Sequence, residues 1–214
     1  HNTGEVIISA INLQKTLEDK AKINEAEGGK YIRPIVLFQA QPKTDEDNIT
    51  FEKIKAQLIE IGIPENQIRI KTANKDEIKS EDLMSRECEV RYIITVNALK
   101  EGWDCPFAYI LATLANKSST VDVEQILGRI LRLPYTTKHS QELLNFSYVF
   151  TSSNEFQSTL GKIIVGLNKA GFSRKDYRVK ESQLAVERQQ PENSSFEELF
   201  TLEQETAVSS SSVP

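Results

Sequence analysis

The sequence lacks the features that define membrane proteins, disulfide-stabilised proteins and common metalloproteins. No apolar run approaches the about 18 residues that cross a bilayer. Only two cysteines are present, Cys88 and Cys105, and their spacing fits no metal site. We therefore expect a cytoplasmic protein with reduced thiols, no contact with membranes and no metal site in this chain.

The sequence also lacks the phosphate-binding device of nucleotide hydrolases. Such enzymes use a GxxxxGK[ST] loop for the phosphates and an acidic pair at the end of an apolar strand for magnesium. Neither is present, and the acidic pairs at residues 45–47, 76–77 and 81–82 lie in polar segments. We therefore expect that this chain alone does not hydrolyse ATP.

The sequence also lacks an excess of basic over acidic residues. The 214 residues include 26 Lys and Arg against 31 Asp and Glu, which gives a net charge of −5. Nucleic-acid-binding domains usually carry excess positive charge, so any DNA contact must come from a local patch or from another part of the protein. The length is long for one domain and short for two.

What the sequence does contain is an alternation of short apolar runs with helical patterns. The runs predict strands at residues 35–38, 67–72, 92–96, 108–114 and 146–150. Apolar spacings of three and four predict helices at about 5–25, 51–61, 122–131 and from 152 onward, with a short helix near residue 80. The polar residues 45–48 are placed to cap the second helix. The alternation indicates an α/β fold with a mostly parallel sheet covered by helices on both faces.

One block of residues falls on the helix predicted at 122–131. Gln125, Arg129 and Arg132 recur at i, i+4 and i+7, so they share a face apart from the apolar one. Gly128 lies between them and removes bulk where a ligand could approach, although glycine weakens a helix. Two guanidiniums one turn apart suit phosphate oxygens. A solvated helix face with two ordinary arginines explains this block equally well when it is taken alone.

A second block precedes it in the chain. It begins at Thr95, within the apolar run at 92–96, and continues through Ala98 to Gly102 and Asp104 in a glycine-containing turn. Ligands of open α/β sheets bind at the carboxyl ends of strands, which is where this block lies.

Together the two blocks resemble motifs V and VI of superfamily-two helicases in order and separation. The stretches ALKEGWDCPFAYILA and VEQILGRILRLPY are similar to the restriction subunit of type III restriction enzymes, strongly over about forty residues and loosely over about 30–170. The resemblance implies a RecA-like three-layer sandwich, the second of two in such a motor. It divides the chain into an N-terminal helix at 1–29, a RecA-like helicase C-terminal domain at 30–171 and a basic, then acidic and partly disordered linker at 172–214.

The resemblance implies roles at the ATP site. Arg132 would be the arginine finger that neutralises charge on the γ-phosphate during transfer. Arg129 would be a second γ-phosphate contact, and Gln125 would bridge to the acidic motif of the first RecA-like domain. Asp104 would approach the ribose, and the remaining ATP-facing residues would be Gly102 and Gly128. ATP and magnesium would be held mainly by that first domain.

The resemblance also implies partners. Thr95 would contact the DNA backbone with Ala98 beside it, and Gln39 would face DNA from the loop that leaves the strand at 35–38. For Gln39 a core strand with a polar turn is the competing interpretation. The partners would be DNA, the first RecA-like domain of the same parent and a modification (methyltransferase) subunit. The alternative function is a catalytically silent nucleic-acid-binding or regulatory module with the same fold.

Overall fold

The structure is a computed structural model that describes residues 3–43, 49–96, 105–114 and 134–152. All of these residues belong to one compact unit of the chain. Two helices and five strands lie in this part, in the order α1 (Thr3–Ala26), β1 (Ile35–Gln39), α2 (Phe51–Glu60), β2 (Ile68–Lys71), β3 (Tyr92–Thr95), β4 (Ala108–Thr113) and β5 (Tyr148–Thr151). The helices predicted at 122–131 and from 152 onward lie outside the described residues, apart from Ser152.

The five strands form one sheet with the order β2-β3-β1-β4-β5, and every neighbouring pair is parallel. Each residue of β1, β3 and β4 is buried, so the central strands are covered on both faces. Strands of this kind need an unbroken apolar sequence, since neither side chain direction meets water. The predicted fold class, an α/β sandwich with a RecA-like, mostly parallel sheet covered on both faces, is therefore confirmed.

Helix α1 packs against β1, β4 and β5. It begins and ends close to its predicted bounds, and Gly28, with φ of 91°, terminates it. The Gly28 N–H donates to the Glu25 carbonyl and the Gly29 N–H to the Asn24 carbonyl, the paired bonds of a Schellman cap. Gln14 lies fully inside the α1–sheet interface, where its Nε2 donates to the Pro34 carbonyl at 3.2 Å and its Oε1 accepts from the Tyr92 hydroxyl at 3.2 Å.

Helix α2 is capped at a different residue from the one predicted. The Thr50 hydroxyl accepts from the Lys53 N–H at 3.4 Å, so the cap is Thr50 and not the polar turn at 45–48, which lies outside the described residues. Threonine and the polar residues before it share the same capping chemistry, and the sequence alone offers no way to choose between them. The predicted end at Gly62 is confirmed, with φ of 98°.

The prediction of a short helix near residue 80 is wrong. Residues 72–91 form turns and bends without a helix. Side chains there accept from nearby backbone N–H groups. The Ile78 N–H donates to Asp76 Oδ1, the Met84 N–H to Asp82 Oδ1 and the Glu87 N–H to Ser85 Oγ. Such local bonds compete with helical hydrogen bonds, and they explain why a polar, helix-compatible sequence forms consecutive turns here.

A partly buried ion pair joins α1 to β3 and gives a first prediction. The Glu18 carboxylate accepts from Arg91 Nε at 2.8 Å and from Arg91 Nη2 at 2.7 Å. Burial raises the pKa of Glu18, but the bonds from Arg91 and Gln14 outweigh it and hold the pKa below its ordinary 4.5. Because the folded-state pKa is depressed, the stabilisation is present above pH 4.5 and is lost as the pH falls through the folded-state value.

We expect Glu18→Gln to lower the free energy of unfolding at pH 7, and we expect its difference from the wild type to shrink as the pH falls from 4.5 through the folded-state pKa of Glu18. Urea denaturation between pH 3 and pH 7 measures both curves. Asp19→Asn, which removes an exposed carboxylate from the same helix, serves as the control and should change stability by at most about 0.5 kcal/mol. Parallel curves for wild type and Glu18→Gln over this range would contradict the prediction.

Candidate functional site

Most of the predicted site residues lie outside the described part of the chain: Ala98, Gly102, Asp104, Gln125, Gly128, Arg129 and Arg132. Thr95 and Gln39 lie inside it. The structure describes Val96 and Cys105, on either side of the undescribed part of the first block, and Leu114 and Pro134 before and after the segment that contains the second. These described residues show where each segment leaves the sheet and where it returns.

The two blocks leave the sheet from strands on either side of β1. The Ala40 N–H donates to the Thr95 carbonyl at 2.7 Å, and the Leu114 N–H donates to the Gln39 carbonyl at 2.9 Å. The first block follows Thr95, and the chain toward the second block follows Leu114. Since neighbouring strands are about 4.8 Å apart, the two segments start about 10 Å from each other at the carboxyl edge of the sheet.

A row of polar side chains crosses the sheet at this edge. Its members occupy the last position of each strand and are in register with one another: Lys71, Thr95, Gln39, Thr113 and Thr151. Registered residues of parallel strands point to the same face, and the residues two positions earlier on that face are apolar on the four other strands, with Arg69 on β2 as the exception. Thr113 Oγ1 donates to Gln39 Oε1 at 2.7 Å, and Lys71 pairs with Asp76.

The two described site residues are buried in this row. Thr95 is fully buried, and its hydroxyl has no hydrogen-bond partner among the described residues. Gln39 is 8% exposed and bonds to Thr113. Gln41 also points inward, with its Nε2 donating to the Leu114 carbonyl at 2.7 Å. This is the arrangement that the competing interpretation of Gln39 describes, and its DNA contact stays a prediction.

The residues that follow the two blocks meet at the opposite, amino edge of the sheet. Phe107 comes shortly after the first block, and its carbonyl accepts from the Ile35 N–H at 2.8 Å. Tyr135 comes shortly after the second, and its ring contacts that of Phe107 edge to face with 6.1 Å between the centroids. The Tyr135 hydroxyl donates to the Tyr31 carbonyl at 2.6 Å. The same contact therefore anchors the exit of both blocks.

The backbone at this anchor is strained. Tyr135 has φ of 61° and ψ of 11°, and Thr136 has φ of 49°, so two consecutive side-chain-bearing residues adopt the left-handed region. Each such residue costs about 1–3 kcal/mol and persists only where its surroundings hold it. Close by, burial lowers the pKa of His139, while a hydrogen bond with the Pro134 backbone opposes the shift, so the ring is neutral at pH 7.

A buried arginine supports the anchor, and the sequence interpretation missed it. Arg33 is 1% exposed and donates to the carbonyls of three residues, Val90 at 2.8 Å, Ser85 at 2.8 Å and Leu83 at 2.6 Å. Its guanidinium lies 5.8 Å from the Phe107 ring centroid and 6.0 Å from that of Tyr31. One signal was present, a single charge inside the apolar stretch YIRPIVLF at residues 31–38.

Within the described ranges, no group of three His, Cys, Asp or Glu side chains could hold a metal ion. None of the helices described there is long and apolar enough to cross a membrane.

No protein-family model matches the chain, and no curated protein sequence matches it. Solved structures similar to it include the C-terminal part of the Fun30 ATPase domain (TM-score 0.41, 12% identity, 71% of this chain and 44% of that one). A second is the S. cerevisiae Dbp5 C-terminal domain bound to Gle1 and IP6 (TM-score 0.41, 15% identity, 68% of this chain and 76% of that one). A third is the ATP-dependent Type ISP restriction-modification enzyme LlaBIII bound to DNA (TM-score 0.36, 17% identity, 65% of this chain and 10% of that one). The chain spans less than half of the Fun30 structure. At these identities and TM-scores, no function transfers to it from them.

Proposed function

We propose that this chain is the second motor domain of an ATP-dependent DNA translocase or helicase. Its parent would be the restriction subunit of a type III restriction-modification enzyme. The support is the pair of sequence blocks together with the frame that carries them. The observation with most weight is the Phe107–Tyr135 contact, because it joins the exits of two blocks that are separated in sequence.

The residues of the second block fit a phosphate-facing role. When bound between the two RecA-like domains, ATP with magnesium supplies the phosphoryl group whose transfer to water drives the motor. Arg132 neutralises the charge that develops on that group, and Arg129 gives a second contact to it. Gln125 links this domain to the acidic motif of the first. Gly102 and Asp104 of the first block lie toward the ribose, with Gly128 leaving room on the helix.

The carboxyl edge of the sheet is the proposed DNA side. The Thr95 hydroxyl has no partner among the described residues, and a threonine hydroxyl is chemically able to donate to a phosphate oxygen. Ala98 and Gln39 belong to the same proposed surface. Since the net charge of the chain is −5, most of the attraction to DNA must come from the remainder of the parent or from the modification subunit.

The second candidate function is a catalytically silent nucleic-acid-binding or regulatory module. One observation favours the regulatory form of this candidate, because Thr95 and Gln39, both predicted to contact DNA, are buried and not on an open surface. ATP hydrolysis separates the two candidates.

We expect the isolated chain to show no saturable ATPase, because it contains no phosphate loop. The parent with both RecA-like domains should hydrolyse ATP, and DNA should stimulate it. A coupled steady-state assay measures both proteins at the same molar concentration, with the first domain alone as the control. If the parent showed no DNA-stimulated turnover, the silent module would become the better proposal.

A further inference from the structure

The chain that leaves the second block is fixed to the body of the domain by an exit turn, residues 134–141. Pro134 is buried at its start. Within the turn the Thr137 hydroxyl donates to the Tyr135 carbonyl at 3.0 Å. The turn includes the two left-handed residues, Tyr135 and Thr136. Glycine is the residue that adopts this backbone without strain. Because Tyr135 and Thr136 occupy these positions instead, we infer that contacts in the folded protein offset the strain.

Tyr135 makes three such contacts, each with a different group. Its hydroxyl donates to the Tyr31 carbonyl at 2.6 Å, and its ring edge meets Phe107. The Lys30 ammonium lies over the Tyr135 ring, 4.7 Å from its centroid. Lys30 and Tyr31 follow the cap of α1 directly, so Tyr135 joins the exit turn to α1 and to the start of β4.

The far end of the exit turn is fixed to α1 as well. The Ser140 N–H and hydroxyl lie 3.1 Å from Asn24 Oδ1, and the hydroxyl lies 2.5 Å from Glu27 Oε2. Gln141 Nε2 donates to the same Glu27 oxygen at 3.0 Å. Asn24 is itself buried, and its Nδ2 donates to the Lys30 carbonyl at 3.4 Å. The far end of the turn is thus tied to the C-terminal end of α1, and Tyr135 is tied to residues 30–31, which follow that helix.

We propose that Tyr135 is a positioning residue that sets the arginines of the second block against the first block. The inference rests on the proposed function. Phe107 is three residues beyond Asp104, and Tyr135 is three residues beyond Arg132. Three residues span at most about 10 Å of chain, so one ring contact limits how far the two block ends can separate. Tyr135 contacts Tyr31, Phe107 and Lys30. Its proposed effect on catalysis acts through Arg132.

Two variants of the two-domain parent separate this role from general stability. Tyr135→Gly keeps a backbone that tolerates φ of 61° but removes every side-chain contact. We expect kcat to fall about tenfold to hundredfold, as for misplaced catalytic groups. Affinity for ADP–aluminium fluoride, a transition-state mimic, should weaken by the same factor while affinity for ATP stays unchanged.

Tyr135→Phe removes only the hydroxyl and should lower kcat about twofold to tenfold. Its matched control is Tyr148→Phe, since the Tyr148 hydroxyl donates to the Leu143 carbonyl at 2.9 Å from a similarly half-buried ring. We expect the control to keep full turnover. If Tyr135→Gly does not fold, Tyr135→Phe decides the question by the same readouts.

A double variant completes the test. If Tyr135 acts through Arg132, then Tyr135→Gly should add no further loss to Arg132→Ala. Losses that multiply, or an unchanged kcat and unchanged affinity for the mimic, would overturn the positioning role while leaving the motor intact. If Arg132→Ala alone leaves turnover unchanged, the proposed function fails first and the positioning role fails with it.

Discussion

Replacing Arg132 with alanine in the two-domain parent should lower DNA-stimulated kcat by about 10³, with little change in ATP affinity. An arginine that meets the transferring phosphoryl group stabilises the transition state more than the ground state, and removing such groups costs about 10³–10⁵ in rate. Steady-state ATPase gives kcat, and equilibrium titration with ATP gives the affinity. A loss confined to kcat is the signature of an interaction made in the transition state.

Two companion variants make the result specific. Arg132→Lys keeps the charge but loses the planar fork of donors, so we expect it to recover little of the lost rate. Lys138→Ala removes an exposed cation six residues further along the chain and should leave kcat within about twofold. Full turnover in Arg132→Ala would assign Arg132 a structural role and favour the silent module.

The elements of the sheet were predictable because local sequence determines them. The four residues of β3 and the six of β4 are apolar apart from their terminal threonines, and only a strand buried on both faces needs such a run. β5 was predicted two residues too early, at 146–150 instead of Tyr148–Thr151. Phe146 begins the apolar run, but the run does not show which of its residues pair with β4.

The frame around the two blocks was not predictable in the same way. The roles proposed for Gln125, Arg129 and Arg132 come from their spacing together with the family resemblance, whereas Phe107–Tyr135 is a contact between residues 28 positions apart. The left-handed backbone of Tyr135 has no local sequence signal, since a tyrosine adopts it here with the support of long-range contacts to Tyr31 and Phe107. Long-range contacts of this kind become visible only once the topology is known.

The role of Arg33 shows the same limit and leads to the second large expected effect. We expect Arg33→Leu to lower the free energy of unfolding by about 2–5 kcal/mol, since it removes three bonds to backbone carbonyls. The buried residues Leu83 and Val90 lose the side-chain donor to their carbonyls, while the Ser85 carbonyl keeps the Cys88 N–H. Removing a buried charge that has no ion-pair partner among the described residues offsets part of this loss. The net effect on the free energy of unfolding is still a decrease, because three charge-assisted bonds are lost for one buried charge removed.

Urea denaturation of the chain measures the change, and Arg69→Leu is the matched control. Arg69 also reaches the 72–91 segment, through Glu81, but its side chain is 25% exposed and water can replace its bonds. We expect at most about 1 kcal/mol for the control. Arg33→Lys should not rescue stability, because one ammonium cannot reach carbonyls that a planar guanidinium spans. Full stability in Arg33→Lys would contradict this prediction. It would show that a positive charge near the Phe107 and Tyr31 rings stabilises the domain and that the bonds to the carbonyls do not.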